Sequence, residues 1–133
     1  MPDNIIRANL FSLRNSPKLP KIVKKDWGEE VWFANNEEYN YCGKILRVNA
    51  GHKFSMHAHR DKAETFYVLK GSVILRIIDS QSHDATVYEM NMTVGDVFDI
   101  KPMLPHQIEA REYSEIIEAS TFHRDEDSYR YWR

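Results

Sequence analysis

Three histidines and one glutamate, carried on two short stretches, are the groups in this 133-residue sequence whose types and spacing specify chemistry most sharply. In GHKFSMHAHRDKAETFYVLKG, from Gly51 to Gly71, His57 and His59 are two residues apart on an expected strand. Both imidazoles therefore leave one face of that strand, and Met56 and Ala58 leave the other. Arg60-Asp61-Lys62-Ala63 reads as a polar turn, and the returning strand opens with Glu64, followed at period two by Phe66 and Val68. Its carboxylate comes back opposite the two histidines. A second stretch, GDVFDIKPMLPHQIEA, brings His106 to the start of a strand after a proline-flanked turn. Three nitrogens and one oxygen, with no thiolate, suit one divalent transition metal and leave positions open for water or substrate. Manganese, iron, nickel, copper and zinc all accept such donors, and iron or manganese is the expectation.

Strands must position these groups. From Lys21 onward the text is short runs rich in Val, Ile, Tyr, Phe and Thr, and nowhere sustains the apolar period of a long helix. The expected strands are 30–34, 39–48, 53–59, 64–69, 72–79, 85–90, 97–100, 106–110 and 115–122, with turn signals such as Asn35-Asn36, Lys70-Gly71 and Gly95-Asp96 between them. Nine strands at this spacing predict a closed or double-layered antiparallel barrel. Residues 1–20 hold Pro2, Pro17 and Pro20 around the apolar group Ile5, Ile6, Leu10, Phe11 and Leu13, and read as an N-terminal arm ahead of a single domain over 21–133.

Composition narrows the partners. Eighteen Lys and Arg against 20 Asp and Glu give a net charge of −2, which supplies no basic stripe for nucleic acid. A lone Cys42 excludes an internal disulfide and a multi-thiolate metal site. No window approaches the roughly 20 apolar residues of a membrane span, and residues 1–20 lack the apolar block of a signal peptide. The expectation is a cytoplasmic protein with no membrane partner.

The pattern G-x5-H-x-H-x4-E-x6-G, met at every defined position between Gly51 and Gly71, resembles the first signature motif of the cupin superfamily. The second motif, G-x5-P-x-G-x2-H-x3-N, is met more loosely: Gly95 and His106 stand in order, one residue is inserted before Pro102, and Leu104 and Ala110 replace the glycine and asparagine. The resemblance implies an all-β antiparallel jelly-roll barrel, or double-stranded β-helix, with a metal in its mouth at His57, His59, Glu64 and His106. The ending IEASTFHRDEDSYR, Ile117 to Arg130, is similar to E-[IV]-S-T-x-H-x-x-x-D-S-Y of sugar-isomerase-like cupins, including those resembling lyxose isomerase. Asp26-Trp27-Gly28 and ETFYVLKG are similar to stretches of that group and of mannose-6-phosphate isomerase type cupins.

That likeness implies aldose–ketose interconversion of a sugar or sugar phosphate through a metal-stabilised enediolate, with Glu118 as the proton-moving carboxylate. One departure is Tyr67, which stands where the lyxose-isomerase-like text often has a second glutamate. Of Lys44 and Arg47, strand parity lets only one face inward, and period two with Leu46 and Val48 selects Lys44 to hold a phosphate or sugar oxygen. A solvated cation is the competing reading. His52 and His83 read as exposed, His123 with Arg124-Asp125-Glu126-Asp127 reads as a charged exit or a second metal cluster, and Phe54, Phe66, Tyr67, Phe98 and Phe122 read as core. Exposed strand edges and the apolar arm imply a homodimer in which both add to a partner's sheet. Two other functions fit the same residues: a non-haem metal-dependent oxygenase, and a sugar-binding module without catalysis.

Overall fold

The computed structural model of the chain describes residues 3–5, 17–79 and 86–133. Most of the expected arm, including Ile6, Leu10, Phe11 and Leu13, lies outside the described residues, as does His83. The described residues form β1 (Lys21–Lys25), β2 (Gly28–Asn36), β3 (Tyr41–Val48), β4 (Met56–His59), β5 (Glu64–Lys70), β6 (Ser72–Ile78), β7 (Val87–Thr93), β8 (Val97–Ile100), β9 (His106–Ala110), β10 (Ser114–Ser120) and β11 (Ser128–Trp132). All named pairings are antiparallel. They build a six-stranded sheet in the order β1-β2-β3-β10-β5-β8 and a five-stranded sheet in the order β11-β4-β9-β6-β7, a jelly roll. No helix among the described residues is long and apolar enough to cross a membrane.

The strands carry chemistry at one end and packing at the other. On β3 the inward residues run Lys44, Leu46, Val48, and on β5 they run Glu64, Phe66, Val68. On β9 they run His106, Ile108, Ala110, and on β10 Ile116 precedes Glu118. Leu46, Val48, Phe66, Val68, Ile108, Ala110 and Ile116 join Phe54, Val73, Leu75, Met92 and Ile100 in one buried cluster. Period two thus turns a single strand face from apolar core to polar site within two or three steps. Tyr67, expected in the core, has the opposite parity on β5 and is exposed.

Two strands escaped the sequence pattern. β1, KIVKK, and β11, SYRYW, are exposed along almost their whole length, so no apolar alternation marks them. The strand expected over 53–59 shortens to Met56–His59, with Lys53 keeping only an isolated bridge to Glu109. The Ser55 carbonyl is turned to accept from the His57 ring at 2.7 Å, which takes it out of the ladder. β3 starts at Tyr41 because Asn36 Oδ1 accepts from Tyr39 N–H in a turn that ends at Asn40 with φ 56°.

Gly71, between β5 and β6, has φ +89°, and a Cβ there would lie 2.2 Å from Ser114 Oγ and 2.5 Å from the Tyr113 carbonyl oxygen. Gly71→Ala is expected to lower stability by roughly 2 kcal/mol through backbone strain and this clash. A urea denaturation midpoint unchanged from the parent would contradict that reading of the turn.

Candidate metal centre and its cavity

β4 and β9 meet through the pair His57–His106, which sets two imidazoles side by side, and parity on β4 adds His59. One ring nitrogen from each of the three lies within 4.8 Å of the others. Each ring is oriented from behind by a backbone carbonyl. His57 Nδ1 lies 2.7 Å from Ser55 O, His59 Nδ1 3.0 Å from Asp127 O, and His106 Nδ1 2.9 Å from Leu104 O. A carbonyl only accepts, so Nδ1 carries the hydrogen in each ring and the Nε2 lone pair of the neutral imidazole is left for the cavity. Burial, reinforced by the neighbouring His106 ring, pushes His57 down to about 3. Burial and then the Lys62 ammonium push His59 down to about 2. Both rings are therefore in the ligand form at neutral pH.

Glu64 stands at one side of this trio, with Oε1 2.7 Å from His106 Nε2 and 3.7 Å from His59 Nε2. Glu64 Oε1 and His106 Nε2 are buried without a hydrogen bond, while Glu64 Oε2 is ion-paired with Lys62 Nζ at 3.2 Å. With the His106 hydrogen on Nδ1, two acceptors face each other across 2.7 Å, which is unfavourable unless something electropositive lies between or beside them. These orphaned acceptors, all hard or borderline nitrogen and oxygen donors, fit a divalent transition metal. Among the described residues no second cluster of metal-binding side chains forms, so the reading of His123 and its acidic neighbours as a metal site is not met.

The imidazoles open into a cavity of about 710 Å³ whose wall includes Lys44, Lys62, Glu118, His123 and Trp27. Lys44, 2% exposed, points inward as its parity required. Its Nζ lies 3.6 Å from Glu30 Oε1 and 4.1 Å from the centre of the Trp32 ring, whose Nε1–H donates to the same Glu30 oxygen at 2.8 Å. Glu118 is buried opposite Lys44 in the β3–β10 register. His52, at the rim, is exposed as expected.

Lys62 is the group that the sequence reading missed. Placed in a polar turn by composition, it is only 3% exposed, and Nζ lies 3.0 Å from Glu118 Oε2, 3.2 Å from Glu64 Oε2 and 3.1 Å from His123 Nδ1. Its parity with Glu64, two residues on, was the available signal. Burial alone would raise the Glu118 carboxyl, but the Lys62 and Lys44 ammoniums outweigh it and hold the group below its ordinary range. Burial alone would lower Lys62, and the Glu118 and Glu64 carboxylates outweigh that in turn, keeping it cationic. His123, expected at a charged exit, instead faces the cavity, with Nε2 2.9 Å from Asp125 Oδ1. Burial first, then Lys62 and Lys44, lower its pKa.

Asp127 fastens this end of the barrel. Its buried carboxylate accepts from the backbone N–H groups of Arg60, Asp61 and Lys62 at 3.0 to 3.2 Å, while its carbonyl orients His59. Asp127→Ala is expected to cost about 2–3 kcal/mol, because three donors lose a charged partner. It should also weaken metal binding ~10–100-fold by loosening the turn between two ligands. Chemical denaturation and chelator competition check both; unchanged metal affinity would mean that the turn holds itself.

A family model described as Cupin domain matches residues 44–124, more than half of the chain. No curated protein matches it. Among solved structures, the chain is similar to oxalate decarboxylase from Bacillus subtilis at pH 4.6, with a TM-score of 0.73 and 19% identity over 84% of this chain and 30% of that one. It is similar also to CapF, solved with the inhibitor 3-isopropenyl-tropolone, with a TM-score of 0.73 and 19% identity over 90% of this chain and 35% of that one. The chain thus spans about a third of the length of these structural relatives, and likeness at this identity is a likeness of fold. The same Bacillus decarboxylase has been characterised for its Mn(II) centres.

Proposed function

The chain belongs to the cupin domain family, and from that premise we propose that it is a metal-dependent isomerase or epimerase acting on a small sugar or sugar phosphate. The ligands would be His57, His59, His106 and Glu64, with one divalent ion, iron, manganese, nickel or zinc. When bound there, such an ion supplies Lewis acidity toward a carbonyl and a neighbouring hydroxyl oxygen. The observation that carries the reading is Glu118: a buried carboxylate in the same cavity, outside the imidazole trio, held anionic by a buried ammonium.

A carboxylate so placed is a general base. It takes a proton from the carbon next to the sugar carbonyl and returns it to the adjacent carbon, or to the other face of the same one, so that the exchange passes through an enediol form and needs no oxidant. Lys62 keeps Glu118 ionised and fixes which oxygen is free, since Oε2 already accepts from Nζ. Lys44, paired only loosely with Glu30 and backed by the Trp32 ring, holds a phosphate or hydroxyl oxygen of the substrate at the deep end. We propose further that the protein works in the cytoplasm as a homodimer.

The test is a screen of pentoses, hexoses and their phosphates with metal-loaded protein in deuterated water. Aldose–ketose or epimer interconversion with solvent deuterium entering at the exchanging carbon supports the reading. Saturable sugar binding without turnover at any metal loading would make the protein a binding module. Oxygen consumption that requires a redox-active metal would move it to oxygenase chemistry.

A further inference from the structure

The mouth of the cavity carries cations that no carboxylate answers. Three segments distant in sequence meet there: the end of β1 brings Lys25, the stretch before β4 brings Lys53, and β11 with the residue after it brings Arg130 and Arg133. Arg130 owes its place to register. It pairs with His57 across β11 and β4, so its side chain leaves the strand on the same face as that imidazole. All four cations are exposed. Asp26 takes Arg133 at 3.5 Å and Asp125 takes the His123 ring at 2.9 Å. Among the described residues no carboxylate pairs with Lys25, Lys53 or Arg130. A chain of net charge −2 thus gathers free positive charge around one opening, where the low-dielectric walls of a cleft focus it on an incoming anion.

The deep end has the opposite balance. Glu30, Glu64 and Glu118 line it against Lys44 and Lys62. Both ammoniums already face carboxylates, Lys44 at 3.6 Å from Glu30, and Lys62 at 3.0 Å from Glu118 and 3.2 Å from Glu64. A doubly charged group brought there would shed its hydration and meet three carboxylates. Trp27 follows Asp26 and Phe54 follows Lys53 in the chain, and their rings lead from the rim toward the imidazoles. Trp27 stands edge-on to Phe54 with ring centres 5.9 Å apart, and Phe54 lies 5.4 Å from the His57 ring. At about 710 Å³ the cavity has the size of sites that enclose ligands well beyond a single sugar ring.

We infer that the mouth is a phosphoryl-binding subsite built from Lys25, Lys53 and Arg130, and that the substrate enters with its carbonyl end at the imidazoles and its phosphoryl group outermost. Lys44 then takes a hydroxyl oxygen at the deep end. The charge count selects phosphoryl over carboxylate: a carboxylate brings one negative charge, whereas a phosphate monoester brings about −1.5 to −2 at neutral pH, against three cations without a partner. Arg130 offers a fork for two oxygens, and the two lysines act as mobile point charges beside it. The substrate class is a sugar bearing a phosphoryl group remote from the reacting carbon, as a terminal monoester or as the diphosphate of a nucleotide sugar. The orientation of the substrate rests on the isomerase reading above; the subsite itself rests on the rim alone.

Calorimetric titration of the full chain with inorganic pyrophosphate tests the subsite without turnover. Lys53→Ala with Arg130→Ala is expected to raise the Kd on the order of a hundredfold, the loss of two charge-assisted contacts, with the circular dichroism of the parent. Should that variant not fold, Lys25→Ala with Lys53→Ala is expected to weaken binding in the same way. His57→Ala with His59→Ala should keep the affinity, as should Lys70→Ala with Lys101→Ala, whose cations lie outside the cavity wall. Ribose 5-phosphate and ADP-ribose then separate the two sources: whichever binds more tightly, with the same dependence on the rim, supports the subsite and names the monoester or the diphosphate. No binding of pyrophosphate, or binding that the rim substitutions leave unchanged, overturns it. Binding lost in the His57/His59 variant would mean that the anion sits on the ion, and binding lost only in Lys44→Met would put it at the deep end; either overturns the rim. Rim-dependent binding in a protein that interconverts no sugar would keep the subsite and remove the isomerase reading.

Discussion

Glu118→Gln is expected to lower kcat by about 10²–10⁴-fold, the range for removing a general base, while metal content and KM stay close to those of the parent. Glutamine keeps the shape of the side chain and an oxygen to accept from Lys62, so the packing between β3, β10 and the 60–63 turn survives. What it removes is the ability to take a proton from carbon. The variant therefore separates the two duties the cavity divides: three imidazoles on β4 and β9 with Glu64 beside them, and a carboxylate on β10 that touches none of those rings. Steady-state rates alongside bound metal decide the matter. Normal turnover would mean that the base is another group, and simultaneous loss of metal would make Glu118 part of the ligand shell.

Lys62→Met should destabilise the metal-free protein by roughly 3 kcal/mol or more, the range for removing one partner of a buried ion pair. Lys62 is the ammonium between Glu118 and Glu64, both buried, and methionine fills the same length without a charge. The loss should depend on pH with a definite sign. In the parent, Glu118 is held below its ordinary value, so its contribution to stability is present above the unfolded carboxylate range and fades as pH falls through the folded value. Without Lys62, Lys44 is left to oppose burial, so the folded carboxyl rises from that value and the variant loses less stability than the parent on acidification. Urea midpoints at about pH 3.5 and pH 7.5, on either side of the ordinary carboxylate value, should show the gap between parent and variant closing at the lower pH. A gap that widens would place the missing cation's role elsewhere.

The parts of the site written in local spacing are legible in the sequence itself. His57 and His59 share a face because they are two apart, Glu64 returns opposite them because a four-residue turn intervenes, and Lys44 and Glu118 face inward by parity with Leu46 and Ile116. What parity does not carry is contact between distant strands. Asp127 reaches the 60–62 turn across 65 to 67 positions because β11 pairs with β4, and β11 has no apolar alternation to announce it. Trp32 and Glu30 meet Lys44 only through the β2–β3 register. Lys62 reads as turn composition, and its burial follows from two carboxylates that arrive from β5 and β10.

Elemental analysis of the protein purified without added metal or chelator, beside a His57→Ala/His59→Ala double variant, bears most directly on the metal centre. One equivalent of a divalent transition metal in the parent and none in the folded variant is the expected result. No metal in either protein, and none after reconstitution with manganese, iron, nickel or zinc, would contradict it.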